Sequence, residues 1–376
     1  MVTIQPACFF GIGTNYPWAN PELVTIDSYG GNPDIIATRE EIQRVASEIK
    51  LAAEELSAFG TIETLLSDPL HQLQYRLSTV AVLTKLEKLY GSCLLASEQY
   101  FSTEAQIHRR FEIHFVPAIA AISTSVAMGM GWRLDHAVSA TVSSKRQTLV
   151  PNSITAMLDR LWDVSSKTDP TVGIDMFENK SGNRTVIVYI PGTQTLGLGD
   201  GANPLDLQSN ILAMQGEGLA ASERAVLEAM KQAGISETDS VIFVGHSQGG
   251  MVAGNLSQNP SGYLAAGLVA VGAPIAQLKL TKIPVMAIEH VNDPVPNVSG
   301  KANPLAKKWV TVQRKALPSE SAAPLHSHSL KSYKNTTEKV DASKNQGIVN
   351  IRQQLLSQVQ GSPVGKALNF VISREF

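Results

Sequence analysis

Cysteine is nearly missing from this chain: there are two, Cys8 and Cys93, among 376 residues. Neither belongs to a C-x-x-C pair, which excludes a zinc knuckle or a dithiol redox motif. The pair fits either a single disulfide in an oxidising compartment or two unrelated, partly buried thiols. An excess of charge is missing too. Thirty-one basic residues face 33 acidic ones, for a net charge of -2. Nothing electrostatic therefore favours nucleic acid as a partner, and no run of like charge forms an acidic or basic tail. The first residues, Met1 to Pro6, have neither a basic n-region nor an apolar h-region. No cleavable signal peptide is expected, so the chain is expected to be cytoplasmic or exported by a route that needs none. Phe115 to Trp132 is uncharged over 18 residues. It is rich in Ala, Ser, Thr and Gly, with Pro117 near its start, so it reads as a small-residue helix packed inside the protein, not an integral membrane span.

With 43% apolar residues, the chain can bury a sizeable core, and its length suggests two domains. No internal repeat or low-complexity linker marks a boundary. Residues 1–165 read as mainly helical. Thr38-Arg39-Glu40-Glu41 is a capping box, with a hydroxyl at the N-cap and a carboxylate three positions on. Ile42, Val45, Ile49, Ala52 and Leu56 then fall at spacings of three and four, one apolar stripe on a helix. Phe59-Gly60 breaks that helix, and Ser67-Asp68-Pro69 starts another whose stripe runs through Leu70, Leu73, Leu77, Val80, Leu83 and Leu86. A long helical hairpin is expected, its stripes needing each other or a helical partner.

Residues 166–376 have a different character. Val172–Phe177 and Thr185–Ile190 are β-prone runs around the turn Asn179–Asn183, a predicted hairpin. One clear helix, roughly Ala220 to Ala233 with Gly234 as its C-cap, precedes the buried-strand run Ser240–Val244. Leu268–Val271, Ile283–Ile288 and Trp309–Val312 follow as further strands. Strands alternating with helices predict an α/β fold with a mostly parallel sheet covered on both faces.

Gly245-His246-Ser247-Gln248-Gly249-Gly250 lies between the strand ending at Val244 and a helix start. In that context G-x-S-x-G is a nucleophile elbow: a sharp strand-to-helix turn that exposes the serine hydroxyl, with glycines where side chains would collide. The helix N-terminus and the Gln248 N–H would point at a developing oxyanion. Serine needs a base, and the base needs an acid to orient it. Beyond the Ile283–Ile288 strand, Asp293 sits in the loop Glu289-His290-Val291-Asn292-Asp293-Pro294-Val295-Pro296 and is the candidate acid, with Glu289 as the alternative. Beyond Trp309–Val312, a loop carries His326 and His328; His328, at a helix start, is the candidate base and His326 the alternative. His246 and His290 read as structural. After the Thr185–Ile190 strand, Pro191-Gly192-Thr193-Gln194 offers Thr193 as the second oxyanion donor, with Gln194 behind it. Thr195–Asn210 reads as a lid, a cleft wall or a plain connection. The chemistry implies no metal and no cofactor.

On these motifs, together with Gly272-Ala273-Pro274 and Tyr333, residues 170–376 resemble the α/β-hydrolase superfamily, its esterase- and lipase-like members. The resemblance implies a serine hydrolase that cleaves carboxylic esters, of small molecules or lipids, through an acyl-enzyme. The helical half is similar to small Trp-x-Gly proteins of bacterial type VII secretion. Tyr100 and Glu104 match their Tyr-x-x-x-Asp/Glu export signal, although Phe59-Gly60 stands where Trp-x-Gly would. This second resemblance implies export and a helical partner or chaperone, and an alternative in which the hairpin is the working part and the hydrolase fold is weakly active or inert.

Overall fold

The computed structural model describes residues 26–31, 39–59, 79–91, 136–178, 182–195, 201–215, 219–321, 326–359 and 364–376. Two compact units divide the chain: Ile36–Arg109, and Met1–Ile35 together with Arg110–Phe376. In the first lie helix α1 (Arg39–Phe59) and helix α2 (79–91). In α1 the less exposed side runs through Val45, Ala46, Ile49, Ala53 and Leu56, whereas the expected stripe member Ala52 is exposed. In α2 the corresponding residues are Leu83, Leu86 and Tyr90, and Val80 is exposed. Spacings of three and four leave two neighbouring positions competing for each turn, which is why the stripe drifts by one residue. The rest of the expected hairpin, the Thr38 cap and Phe115–Trp132 lie outside the described residues, as do Cys8 and Cys93.

The second unit is a mixed α/β structure around one nine-stranded sheet, with strand order β1-β8-β7-β6-β5-β4-β3-β9-β2. The strands are β1 (Asp27–Gly30), β2 (Val138–Leu149), β3 (Thr171–Glu178), β4 (Arg184–Ile190), β5 (Ser240–His246), β6 (Leu264–Val271), β7 (Val285–His290), β8 (Trp309–Arg314) and β9 (Val364–Arg374). From β4 to β8 the pairing is parallel. The expected β3–β4 hairpin is present and antiparallel. The expectation of a helical region up to residue 165 does not hold for this sheet. β1 pairs with β8 and β2 with β9, so both outer strands come from residues expected to be helical. Their partners lie hundreds of positions away, and nothing local announces such pairing.

The central strands are apolar runs because both faces are covered. Val186, Val188 and Ile190 of β4 enter one core layer, where they meet Ala225, Val226 and Ala229 of α5 (Ala221–Gln232) and Val252, Ala253 and Leu256 of α6 (Gln248–Gln258). Ile187 and Tyr189 enter the opposite layer, against α3 (Ile154–Ser165), α7 (Leu330–Ala342) and α8 (Gln346–Ser357). That is the two-residue period of a strand read against two helical layers. A further helix, α4 (Leu207–Gln215), precedes α5, so two helices lie between β4 and β5 where one was expected. Its sequence, LQSNILAMQ, has no clean apolar stripe to announce it. The segments joining β6 to β7 and β7 to β8 contain no α-helix, so α3, α7 and α8 cover that face from before and after the parallel strands.

β9 is tied to the loop after β4 by a buried ion pair. Arg374 donates to both carboxylate oxygens of Asp206 at 2.6 and 3.0 Å, to Ser209 Oγ at 2.9 Å and to the carbonyls of Gly201 and Asn203. Both side chains are nearly inaccessible, so removing one partner strands a charge. Arg374→Met is expected to destabilise this unit by about 3–5 kcal/mol, measured by chemical denaturation. A loss below about 1 kcal/mol would show that the pair does not anchor β9.

Candidate active site

Ser247 lies between β5 and α6 with φ 56° and ψ -124°, the sole non-glycine residue at positive φ among those described. Its N–H donates to Val271 O at 2.9 Å, tying the turn to the end of β6. The neighbouring glycines are required sterically. A Cβ on Gly245 would fall on the backbone of Gly249 and Gly250, and one on Gly249 on the carbonyls of Ile190 and Pro191. The elbow is pressed this closely against the end of β4, which sets Gly192 beside it: a Cβ there would lie 3.1 Å from Ser247 Cβ and 3.1 Å from His246 Nδ1.

The structure brings Ser247, His328 and Asp293 into one hydrogen-bonded chain. His328 Nε2 lies 2.9 Å from Ser247 Oγ, and His328 Nδ1 lies 2.7 Å from Asp293 Oδ2. A carboxylate can only accept, so Nδ1 carries the proton and Nε2 is the free base that accepts from the serine hydroxyl. Asp293 also accepts at Oδ2 from the Tyr333 hydroxyl at 2.7 Å and at Oδ1 from the Val295 N–H at 3.0 Å. The side chain of Asp293 is wholly buried and that of Tyr333 fully so, while His328 keeps 17% of its side chain exposed. Asp293 and Tyr333 are dry, and His328 reaches solvent. Gly272, at φ 56°, leaves the space that the Tyr333 ring fills.

The alternatives fall elsewhere. Glu289 accepts from Asn303 at 2.6 Å and Gln313 at 3.1 Å, away from the histidine. Burial pushes its carboxyl up to about 7 against the two hydrogen bonds, with Asp293 adding to the rise. His326 makes no contact with Ser247 or Asp293; its carbonyl accepts from Ser329 Oγ at 2.9 Å and Ser332 Oγ at 2.7 Å.

Near the serine, Gln248 is the first residue of α6, so its N–H has no acceptor within the helix. Its side-chain amide donates to Asp206 O at 3.2 Å. In the loop after β4, the Gln194 N–H is committed to Leu205 O at 2.9 Å, which leaves Thr193 as the candidate donor there. Thr193 Oγ1 accepts from Asn210 Nδ2 at 2.8 Å, so α4 holds this loop. Of Thr195–Asn210, the C-terminal part forms the start of α4 and the Arg374 anchorage.

His246 and His290, read from the sequence as structural, are both buried and hydrogen-bonded beside the site. His290 Nδ1 lies 2.6 Å from Ser327 O, its Nε2 lies 2.7 Å from Thr336 Oγ1, and its ring stacks on Tyr333 at 3.9 Å. His246 Nε2 lies 2.9 Å from His328 O. Burial pushes both imidazoles down, His290 to about 3 and His246 well below its ordinary value, the latter helped by His328 beside it. The sequence signal for both was their position near Ser247 and Asp293.

Among the described residues no group of three or more His, Cys, Asp or Glu side chains is placed to hold a metal ion, and no helix is long and apolar enough to cross a membrane. Tyr100 and Glu104 lie outside the described residues. The chain matches no protein-family model, no curated protein and no solved structure.

Glu289 generates a pH prediction. Its folded carboxyl binds a proton between about pH 4.5 and 7, where the unfolded chain has lost it. The folded state therefore loses stability as pH rises through that window. Glu289→Gln cannot titrate, so its stability relative to the parent should improve between pH 4.5 and 8 by up to about 3 kcal/mol. Parallel denaturation curves at the two pH values would refute the raised carboxyl.

Proposed function

We propose that this protein is a serine hydrolase of the α/β-hydrolase type that cleaves carboxylic esters through an acyl-enzyme on Ser247. The observation that carries the reading is the chain Asp293–His328–Ser247, at 2.7 and 2.9 Å, hung on a strained turn at the end of a parallel strand. It is supported by the order of the three residues, which follow β5, β7 and β8, as the superfamily resemblance implies.

In this mechanism Ser247 Oγ attacks the ester carbonyl while its proton passes to His328 Nε2. The new imidazolium is stabilised by Asp293, whose second support from Tyr333 keeps the carboxylate aimed at Nδ1. The carbonyl oxygen, now an oxyanion, is met by the N–H groups of Gln248 and Thr193. As the carbon–oxygen bond to the leaving group breaks, His328 Nε2 returns the proton to that alkoxide. Water then attacks the acyl-serine with the same histidine as base, releasing the acid and restoring Ser247. The chemistry calls for no metal or organic cofactor.

A fluorophosphonate probe is expected to label the native protein at Ser247, located by mass spectrometry, and to leave Ser247→Ala unlabelled. Folded protein that resists the probe would overturn the proposal. Asp293→Asn, which favours the wrong histidine tautomer, should lower kcat on a p-nitrophenyl ester by on the order of 10³–10⁴-fold with little change in melting temperature. Glu289→Gln should keep its rate within about threefold, and a larger loss would return the acid's role to Glu289.

A further inference from the structure

The base lies in a single 3₁₀ turn, His326–His328, immediately before the Ser329 N-cap of α7. Such a turn lacks a ladder of its own, so something else must hold the imidazole within reach of both Ser247 and Asp293. Two successive carbonyls of the turn, Ser327 O and His328 O, face buried imidazole nitrogens, His290 Nδ1 at 2.6 Å and His246 Nε2 at 2.9 Å. We infer that His290 and His246 are positioning residues that clamp the main chain of the base-bearing turn, one from the strand of the acid and one from the strand of the nucleophile.

The tautomers follow from the partners. A carbonyl only accepts, so His290 donates from Nδ1 and His246 from Nε2. At His290 this leaves Nε2 as the acceptor. Thr336 Oγ1 accepts from Arg314 Nε at 2.6 Å, and its one proton faces two acceptors, Ser332 O at 3.3 Å and His290 Nε2 at 2.7 Å, of which the nearer is the imidazole. Arg314 is fully buried and held by both oxygens of Glu320 at 2.9 and 2.8 Å. The sequence Glu320–Arg314–Thr336–His290–Ser327 is thus a continuous hydrogen-bonded relay, buried from Arg314 onward, ending on the turn. The loop that carries Thr193 also passes close to the other ring: a Cβ on Gly192 would lie 3.1 Å from His246 Nδ1. His246 therefore sits between the loop of the oxyanion donor and the turn of the base. The clamp serves the hydrolase reading, and its kinetic test rests on that reading.

Amide side chains separate clamping from mere packing. Glutamine can place an N–H where an imidazole Nε2–H was, and asparagine where an Nδ1–H was. In the full-length protein, four quantities would be compared: the rate of fluorophosphonate labelling at Ser247, kcat and KM on a p-nitrophenyl ester, the melting temperature, and the ¹⁵N NMR signals of the His328 ring. His246→Asn is expected to slow labelling and kcat roughly 10- to 100-fold with KM nearly unchanged, because the base is displaced while binding is not. His246→Gln should restore most of the rate. At position 290 the preference should reverse, with Asn outperforming Gln. The His328 ring should show one Nδ1–H tautomer in the parent and in His246→Gln, and a mixture in His246→Asn. Equal behaviour of Asn and Gln at position 246, or rate losses that simply follow the melting temperature, would overturn the clamp even if position 290 proves too buried to substitute. If the parent protein is not labelled yet the tautomer pattern appears as stated, the hydrolase reading falls and the clamp stands.

Discussion

Everything at the site depends on a turn that an L-residue rarely adopts. Ser247 holds φ 56° between a parallel strand and the helix that follows it. A residue in that region costs on the order of 1–3 kcal/mol, and it persists only where the surroundings leave no alternative. Here β5 arrives hydrogen-bonded on both sides, α6 leaves at once into the core through Val252, Ala253 and Leu256, and Val271 O fixes the serine's own N–H. The strain is the means by which the side chain comes to face His328 Nε2 while the next residue's N–H opens the helix. Gly245 and Gly249 are consequences of the same turn, because β4 and α6 close in on either side of it.

Around that turn the polar groups are sorted by access to water. Asp293 and Tyr333 are dry, His328 is partly wet, and His246 and His290 are dry again. A buried imidazole is held neutral because desolvation disfavours its charged form, which leaves one donor and one acceptor per ring. That fixed polarity makes buried histidines useful struts between backbone carbonyls and hydroxyls. An imidazole in contact with water and beside a carboxylate is suited instead to gaining and losing a proton. The four histidines His246, His290, His326 and His328 share one side-chain chemistry and are separated in role by burial and partners.

The fold places these groups by converging strand ends. The loops after β4, β5, β7 and β8 lie at the carboxyl ends of one run of parallel strands, so groups as far apart in sequence as Gly192, Ser247, Asp293 and His328 meet there. The antiparallel flanks are less economical of local information. β9 is threaded between β3 and β2, and Arg374 ties it to Asp206, whose carbonyl also receives the side chain of Gln248. The residue after Ser247 is thereby linked to β9.

The amino-acid sequence by itself determined the elements whose cause is local. The elbow was legible because Gly-x-Ser-x-Gly is a steric requirement of one turn, and β4 to β8 because strands buried on both faces must be continuous apolar runs. The helix Ala221–Gln232 and the preference for His328 and Asp293 over His326 and Glu289 followed from strand ends and turn residues. The tertiary structure alone decided what depends on distant partners. β1 and β2 exist as strands because β8 and β9 lie beside them; the polar, exposed run Val138–Leu149 carries no pattern of its own. The same is true of α4, which lacks an apolar stripe and is held by Asp206 and Asn210. The roles of His246 and His290 were beyond any reading of spacing, because a histidine becomes a neutral strut only when desolvation and a facing carbonyl act on it together. Those are properties of the packed molecule, created by residues more than 30 positions away in the chain.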